Sequence, residues 1–291
     1  MQDRYAGDIG DYGKIALLKA LQTQGLSIGV NWYKAEALEA EKKADGTFKQ
    51  EDGKYLIPEE LRQCDKTLAE RLLNISCGGE RSIDALEKAK LIPEAVYYNE
   101  PVTVSQRTEW HLRALKKLKS ADIVFVDPDN GMLVKSVGKK SARSVKYTFY
   151  EEVRDYVLQG QSVLIYNHRC RKPEEKYFQD ICGKLQEHTG VDADDVLKIT
   201  FPKCLLMCDK EAIEVQKILP FLSDTWPLCR IGRAVIRASQ SCRQSCNKSQ
   251  CPACGCRSHH SCTHAPQFSR SFPAREWGSV LQRQGACGQC P

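Results

Sequence analysis

Runs of apolar residues alternate with amphipathic segments along most of the chain, and this pattern predicts alternating strands and helices. The clearest strand is the apolar run at 122–127, and a second run of the same kind follows at 162–166. Uninterrupted apolar runs are typical of central strands in a parallel sheet, because both faces of such strands are buried. The pattern also predicts strands at 26–33 and 95–99.

Helical periodicity separates these strands. Helices are predicted after Gly13, over 58–92 with a break at Gly78-Gly79, and at 104–119, 148–158, 173–188 and 211–221. The last strands, 196–201 and 204–208, have two residues between them, which predicts an antiparallel hairpin. We therefore expect an α/β fold with a Rossmann-like, doubly wound, mostly parallel sheet that ends in this hairpin, and a helical insert at about 34–94 after the first strand.

Charge and cysteine content divide the chain near residue 226. The 291 residues carry a net charge of +6 and 15 cysteines, but residues 227–291 carry +8 and nine of those cysteines. Residues 1–226 carry −2. The sequence therefore predicts a Rossmann-like domain over 1–226 and a Cys/Arg-rich tail over 227–291. Segments of such biased composition seldom build a core, so we expect a tail that is disordered or resembles the product of a shifted reading frame.

The tail also carries the residue types of a zinc site. Thiolates and imidazoles are zinc ligands, and two residues between Cys251 and Cys254 suit one tetrahedral ion. Cys262 and His264 complete a candidate set. The tail lacks the clean paired Cys-x2-Cys spacing, with apolar residues between the pairs, that is usual in a structural zinc domain. Disorder and zinc binding both remain open for the tail.

Hydropathy restricts where the chain is expected to reside. No apolar run reaches the roughly 18 residues of a membrane span, which excludes an integral membrane protein. The first residues show neither the basic nor the apolar region of a secretory signal. These features predict a cytoplasmic protein without a membrane partner.

Polar residues follow the two strongest strands. Asp127, Asp129 and Asn130 come after the run at 122–127, and His168 comes after the run at 162–166. Ligands of doubly wound sheets bind beyond the carboxyl ends of the strands, so we expect these side chains to converge in one crevice. Asp-Pro-Asp-Asn-Gly also suits a simple turn, but a turn does not need two carboxylates beside a histidine.

A second polar cluster opens the chain just before the first helix. Its candidate ligand-binding residues are Gly7, Asp8, Gly10, Asp11 and Lys14. Backbone amides at a helix start bind phosphate or carboxylate groups, and an N-capping aspartate explains the same residues equally well. A P-loop ATPase is excluded, because five residues instead of four separate the outer glycines and Ile15 stands where Ser or Thr is required.

The segments 5–14, 29–33, 122–131 and 165–169 together resemble a family of uncharacterised bacterial proteins with Gly-Asp-Ile-Gly-Asp-(Phe/Tyr) and Asp-Pro-Asp-Asn-Gly motifs. The order of elements is also similar to class I S-adenosylmethionine-dependent methyltransferases of the adenine-N6 type, which act on nucleic acid. That resemblance implies that Asp127 accepts a hydrogen bond from the target amine. It further implies that Asn130 and His168 line the crevice and that residues 7–14 lie near the cofactor.

The chain departs from the methyltransferase pattern at three places. Asp129 replaces the second proline of the Asp-Pro-Pro motif, and Asn130 replaces the aromatic residue that stacks on a flipped base. No glycine-rich loop follows the strand at 28–33, where the carboxylate end of the cofactor normally binds. The segment from Gly7 to Gly13 is the candidate substitute.

Two other functions remain open. A strand that ends in Asp-x-Asp suits Mg²⁺, so Asp127 and Asp129 also fit a metal-dependent phosphoesterase or nuclease, with His168 as a ligand or base. A non-catalytic binding module on a decayed enzyme fold is the third. The stretch 132–149 holds five cations and no acid and is a candidate phosphate contact: Lys135, Lys139, Lys140, Arg143 and Lys146.

Overall fold

The computed structural model describes residues 1–44, 46–47, 56–168, 173–193, 196–200, 204–209 and 230–231. Within these ranges seven strands form one sheet, in the order β2-β1-β3-β4-β6-β5-β7. The strands are β1 (Ile28–Asn31), β2 (Val96–Tyr98), β3 (Ile123–Val126), β4 (Ser162–His168), β5 (Val196–Thr200), β6 (Cys204–Asp209) and β7 (Arg230–Ile231).

The sheet has a parallel part and an antiparallel part. Strands β2, β1, β3 and β4 are parallel, and Asn31, Val126 and Ile165 stand side by side where β1, β3 and β4 approach their carboxyl ends. Strand β6 runs antiparallel between β4 and β5, and β7 pairs antiparallel with the other edge of β5. The parallel part with its helical crossovers fits a Rossmann-like fold, as the sequence predicts.

Seven α-helices occur among the described residues. They are α1 (Ile9–Thr23), α2 (Glu59–Arg62), α3 (Lys66–Cys77), α4 (Ile83–Lys88), α5 (Arg107–Lys117), α6 (Tyr150–Leu158) and α7 (Glu174–Thr189). Side chains of Asp8, Asp65 and Ser82 cap the amino ends of α1, α3 and α4. Helix α7 ends at Gly190 in the left-handed conformation that favours glycine there.

Helices cover both faces of the parallel part. Ile123 and Phe125 of β3 belong to one apolar cluster with residues of α1, α3 and α4. Val124 and Val126 of the same strand belong to the other cluster, with residues of α5, α6 and α7. Successive side chains of a strand point to opposite faces, so an uninterrupted apolar run is what two buried faces require. The burial explains why the run at 122–127 was recognisable in the sequence.

The predicted and observed elements agree in kind, and most of their ends agree within three residues. The first helix is the exception: it begins at Ile9, capped by Asp8, so Gly10, Asp11 and Lys14 lie inside α1 and not before it. The helical insert contains α2, α3 and α4, and short 3₁₀ helices occur at Glu39–Glu41 and Ala142–Lys146, where no regular element was predicted. The predicted helix 211–221 lies outside the described residues. So do the zinc candidates Cys251, Cys254, Cys262 and His264, whereas Arg230 and Ile231 of the predicted tail pair with β5.

Within the described ranges, no helix combines the length and the apolar character that crossing a bilayer requires.

Candidate functional site

A cavity of about 460 Å³ opens where β3 and β4 end and α1 begins. It therefore lies beyond the carboxyl ends of two adjacent parallel strands, the usual ligand position in this class of sheet. Twelve residues line it: Met1, Tyr5, Asp8, Ile9, Gly10, Lys14, Asp127, Pro128, Asp129, Asn130, Tyr166 and His168.

Residues 127–131, here named the cavity loop, form one wall. The amide of Asp127 donates to the carbonyl of Asn31 and so continues the pairing of β3 with β1. At the other end of the loop, Asn167 Oδ1 accepts from the amide of Met132 at 2.9 Å. Gly131 has a φ of +91°, and a Cβ there would lie 2.0 Å from Asn167 Oδ1. Only glycine meets both conditions, so β4 fixes the course of the cavity loop.

Lys14 joins the first helix to the cavity loop. Its Nζ lies 2.7 Å from Asp11 Oδ1 and 2.9 Å from Asp127 Oδ2. The same Nζ lies 4.4 Å from the centroid of the Tyr166 ring, within range of a cation–π contact. All three charged groups are buried. The Lys14 ammonium thus bridges the carboxylate of Asp11 on α1 and that of Asp127 on the cavity loop.

Burial and charge pairing shift the pKa values of this cluster. Burial alone would lower the pKa of Lys14, but the carboxylates of Asp11 and Asp127 outweigh it and hold that pKa well above its usual value. Lys14 is therefore a fixed cation at neutral pH. Burial raises the pKa of Asp11 to about 6, although Lys14 opposes the rise. Burial also raises the pKa of Asp8, against the opposing effect of Lys14 and two backbone amides.

Asp129 belongs to a separate group of contacts. Gln2 Nε2 donates to Asp129 Oδ2 at 2.7 Å, and Lys146 Nζ lies 3.4 Å from the same oxygen. The amino group of Met1 lies 3.3 Å from Oδ1. Burial would raise the pKa of Asp129, but the Met1 amino group and Lys146 lower it below its usual value. Lys146 also binds Glu41 at 2.5 Å, which ties the segment after β1 to the cavity loop.

His168 and Tyr166 of β4 form the facing wall. Their rings are nearly perpendicular, with centroids 5.1 Å apart. Desolvation lowers the pKa of His168, and the Lys14 ammonium lowers it further, although part of the side chain stays accessible to solvent. At neutral pH the imidazole is therefore uncharged and able to accept a proton.

The structure brings together most of the residues that the sequence predicts for the site. The predicted catalytic residues Asp127, Asp129, Asn130 and His168 all line the cavity, as do Asp8, Gly10 and Lys14 of the predicted cofactor segment. Gly7 and Asp11 do not line it. Asp11 is buried behind the wall, where its Oδ2 accepts from the Gly7 amide at 2.7 Å.

Sequence reasoning missed the aromatic lining and the central ion pair. Tyr166 reads as an ordinary strand residue, and Tyr5 precedes the glycine-rich segment without any periodic signal. A Cβ on Gly10 would lie 3.1 Å from the Tyr166 hydroxyl, so this glycine lets α1 approach β4 closely. The only sequence signal for this approach is a glycine inside a helix start.

Comparison with protein-family models finds none that matches the chain, and comparison with curated proteins likewise finds no match.

Proposed function

We propose that the protein is a methyltransferase-like enzyme that transfers a methyl group from S-adenosylmethionine to an exocyclic amine of a nucleic-acid or nucleotide substrate. One observation carries the proposal: Asp127, a buried carboxylate at the end of β3, lines a cavity beside the end of β4. The hairpin that places β6 between β4 and β5 supports it, since the resemblance to class I methyltransferases includes such a terminal hairpin.

The residues of the cavity have separate parts in this chemistry. An exocyclic amine is a weak nucleophile, and a hydrogen bond to Asp127 orients its lone pair toward the methyl carbon. Lys14 Nζ donates to Asp127 Oδ2 at 2.9 Å and so fixes the position of that carboxyl group. When the nitrogen–carbon bond forms and the carbon–sulfur bond breaks, the amine must lose one proton. His168 is neutral at pH 7 and takes that proton.

The donor set of the cavity fits the proposed cofactor. When bound, S-adenosylmethionine supplies an electrophilic methyl group next to a positive sulfur. Carboxylates attract positive groups, and the Tyr5 and Tyr166 rings add aromatic surface to the lining. Asp8 is the candidate partner for the cofactor's amino group. Residues 7–10 thus stand in for the glycine-rich loop that the strand β1 lacks.

A metal-dependent phosphoesterase has weaker support from the geometry. The ammonium of Lys14 lies between Asp11 and Asp127, where a cation shared by these carboxylates would have to bind. Asp129 makes its contacts with a different set of cations. In the part of the chain that the structure describes, no group of three or more His, Cys, Asp or Glu side chains is arranged to hold a metal ion.

Calorimetric titration of the full chain with S-adenosylmethionine tests the proposal, together with a radiolabelled methyl-transfer assay on mixed nucleic acids. We expect binding by the natural protein and about 10-fold weaker binding by Asp8→Asn, which keeps the helix cap but removes the charge. Asp127→Asn should retain cofactor binding and lose transfer by about 100-fold or more.

Asp122→Asn is the matched control, because Asp122 precedes the same strand at its opposite end and its carboxylate accepts from the amide and the hydroxyl of Ser27. It should leave both readouts unchanged. Absence of cofactor binding, together with Mn²⁺ binding that Asp127→Asn removes, would replace the proposal by phosphoester chemistry. If the protein binds neither S-adenosylmethionine nor Mn²⁺, the results favour a non-catalytic binding module.

A further inference from the structure

A loop rich in lysine and arginine leaves the cavity directly. Residues 133–146, here named the basic loop, follow the cavity loop and precede α6. Four of its cations have exposed side chains: Lys135, Lys139, Lys140 and Arg143. The stretch from 132 to 149 contains no acidic residue that could neutralise them. A concentration of this kind on one loop produces a local positive potential at the surface.

Hydrogen bonds and buried side chains hold the base of the basic loop. Its two ends are joined where the Asn130 amide donates to the Lys146 carbonyl and the Leu133 amide donates to the Thr148 carbonyl, each at 2.9 Å. The guanidinium of Arg107 donates to the backbone carbonyl of Ser144 at 2.9 Å. Val137 and Val145 are buried. The cations are therefore presented by a supported loop.

Chain connectivity limits how far two of the exposed cations lie from the cavity, because the loop starts and ends at its wall. Lys135 follows the cavity-lining Asn130 by five residues, so their Cα atoms are at most about 18 Å apart. Arg143 precedes Lys146 by three residues, which is about 11 Å at most, and the carbonyl of Lys146 is bonded to Asn130.

Three carboxylates and two cations line the cavity: Asp8, Asp127 and Asp129 against Lys14 and the amino group of Met1. Both of these cations are paired with carboxylates, Lys14 with Asp127 and the Met1 amino group with Asp129, whereas the exposed cations of the basic loop stand outside the cavity. A mononucleotide would carry its phosphate into the acidic cavity together with its base. A polynucleotide can keep its phosphates outside and insert one uncharged base, as base-flipping enzymes require.

We propose that the basic loop binds the phosphodiester backbone of a nucleic-acid strand and so directs a base of that strand into the cavity. The second half of this statement rests on the proposed function, but backbone binding by the loop does not. Lys139 is engaged with Glu151 at 2.7 Å, whereas Lys135, Lys140 and Arg143 form no ion pair with any described residue. These three are the expected phosphate contacts.

Fluorescence anisotropy with a labelled 20-nucleotide single strand tests the surface, with the full chain and without cofactor. The triple variant Lys135→Ala, Lys140→Ala, Arg143→Ala removes three contacts. We expect affinity about 100-fold lower at 0.1 M salt, and a plot of log affinity against log salt that is shallower by about 2.

A charge-matched control comes from the amino ends of the parallel strands, opposite the cavity. Lys116, Lys117 and Lys119 are exposed at the end of α5, just before β3 begins. Their triple alanine variant loses the same net charge and should keep the natural affinity within about twofold.

Three results would contradict nucleic-acid binding by the basic loop. They are an equal loss of oligonucleotide affinity in both triple variants, no loss in either variant, or binding of phosphatidylserine vesicles through the loop without oligonucleotide binding. The calorimetric titration with S-adenosylmethionine separates the two proposals. If the protein binds the oligonucleotide through the basic loop but does not bind S-adenosylmethionine, the proposal of nucleic-acid binding stands and the proposal of methyl transfer is rejected.

Discussion

Gly131 turns the chain at the end of the cavity loop, and Asn167 fills the space beside it. Both the positive φ and the close oxygen oppose any side chain at this position. Gly138, seven residues later on the basic loop, has open space where a Cβ would be added. The two glycines therefore allow a comparison within one segment.

We expect Gly131→Ala to lower the free energy of unfolding by about 2 kcal/mol or more, because the loop must move away from β4. Gly138→Ala should change it by less than about 1 kcal/mol. Urea unfolding of both variants measures the difference. Equal effects would show that β4 does not fix the cavity loop in this way.

Single residues show how far the sequence could predict the site. Asp127, Asp129 and His168 were predictable because they leave adjacent strands of a parallel sheet, whose carboxyl ends share one edge. The ion pair of Lys14 with Asp127 spans 113 residues and depends on where α1 packs across the sheet. Periodicity locates a helix along the chain but does not fix its position in space, so this pair was not predictable.

At the level of elements, helix α5 carries one buried and one exposed arginine. Arg107 donates to both carboxylate oxygens of Glu152 on α6, at 2.6 and 2.8 Å, and to the carbonyls of Ser144 and Tyr147. Arg113 pairs with Glu100, and about half of each side chain is exposed. Buried ion pairs respond strongly to loss of one partner, whereas exposed pairs respond little.

Arg107→Ala should lower the free energy of unfolding by about 3–5 kcal/mol, because Glu152 stays buried without its partner. Arg113→Ala, on the same helix, should cost less than about 1 kcal/mol. Chemical denaturation of the two variants checks this. A small effect of Arg107→Ala would mean that the support of the basic loop by α5 is weaker than its hydrogen bonds indicate.

Elements differed in how well the sequence revealed them. Long amphipathic or uniformly apolar segments such as α5 and β3 were recognised because burial imposes their pattern. The 3₁₀ helix Ala142–Lys146 was not recognised, because five residues are too few to show a helical period. A hydrogen bond from the distant Arg107 to the carbonyl of Ser144 also helps to hold this helix.

At the scale of the whole molecule, the buried acids make stability depend on pH. The pKa of Asp11 is about 6 in the folded protein and near 3.8 when exposed, so the folded state binds the proton more tightly between these values. Stability from this group is therefore lost as pH rises from about 4 to 6. Asp122 behaves in the opposite way: hydrogen bonds from Ser27 lower its pKa, so its contribution changes only below about pH 4.

We expect the free energy of unfolding of the natural protein, relative to Asp11→Asn, to fall on the order of 2 kcal/mol between pH 4.5 and 7. The same comparison with Asp122→Asn should be flat over that range. Urea unfolding at four pH values measures both. A flat curve for Asp11→Asn would show that its carboxyl is not the source of the pH dependence.

The strand order was only partly predictable at this scale. Alternating strands and helices imply a parallel sheet with helices on both faces, and the short connection between 200 and 204 implies the hairpin. The short connection alone does not determine which strand of the hairpin pairs with β4, and the structure places β6 between β4 and β5.

That insertion has a consequence for synthesis of the chain on the ribosome. Strand β4 pairs with β3 through Ser162–Ile165 and with β6 through Ile165–His168, and β6 ends at Asp209, about forty residues after β4. Strand β5 emerges first, but among the described residues it pairs with β6 and β7 and not with β4. At ordinary elongation rates the edge of β4 stays unpaired for roughly 2 to 8 s. A ribosome that pauses in this interval exposes a strand edge to neighbouring nascent chains, and unpaired strand edges promote aggregation.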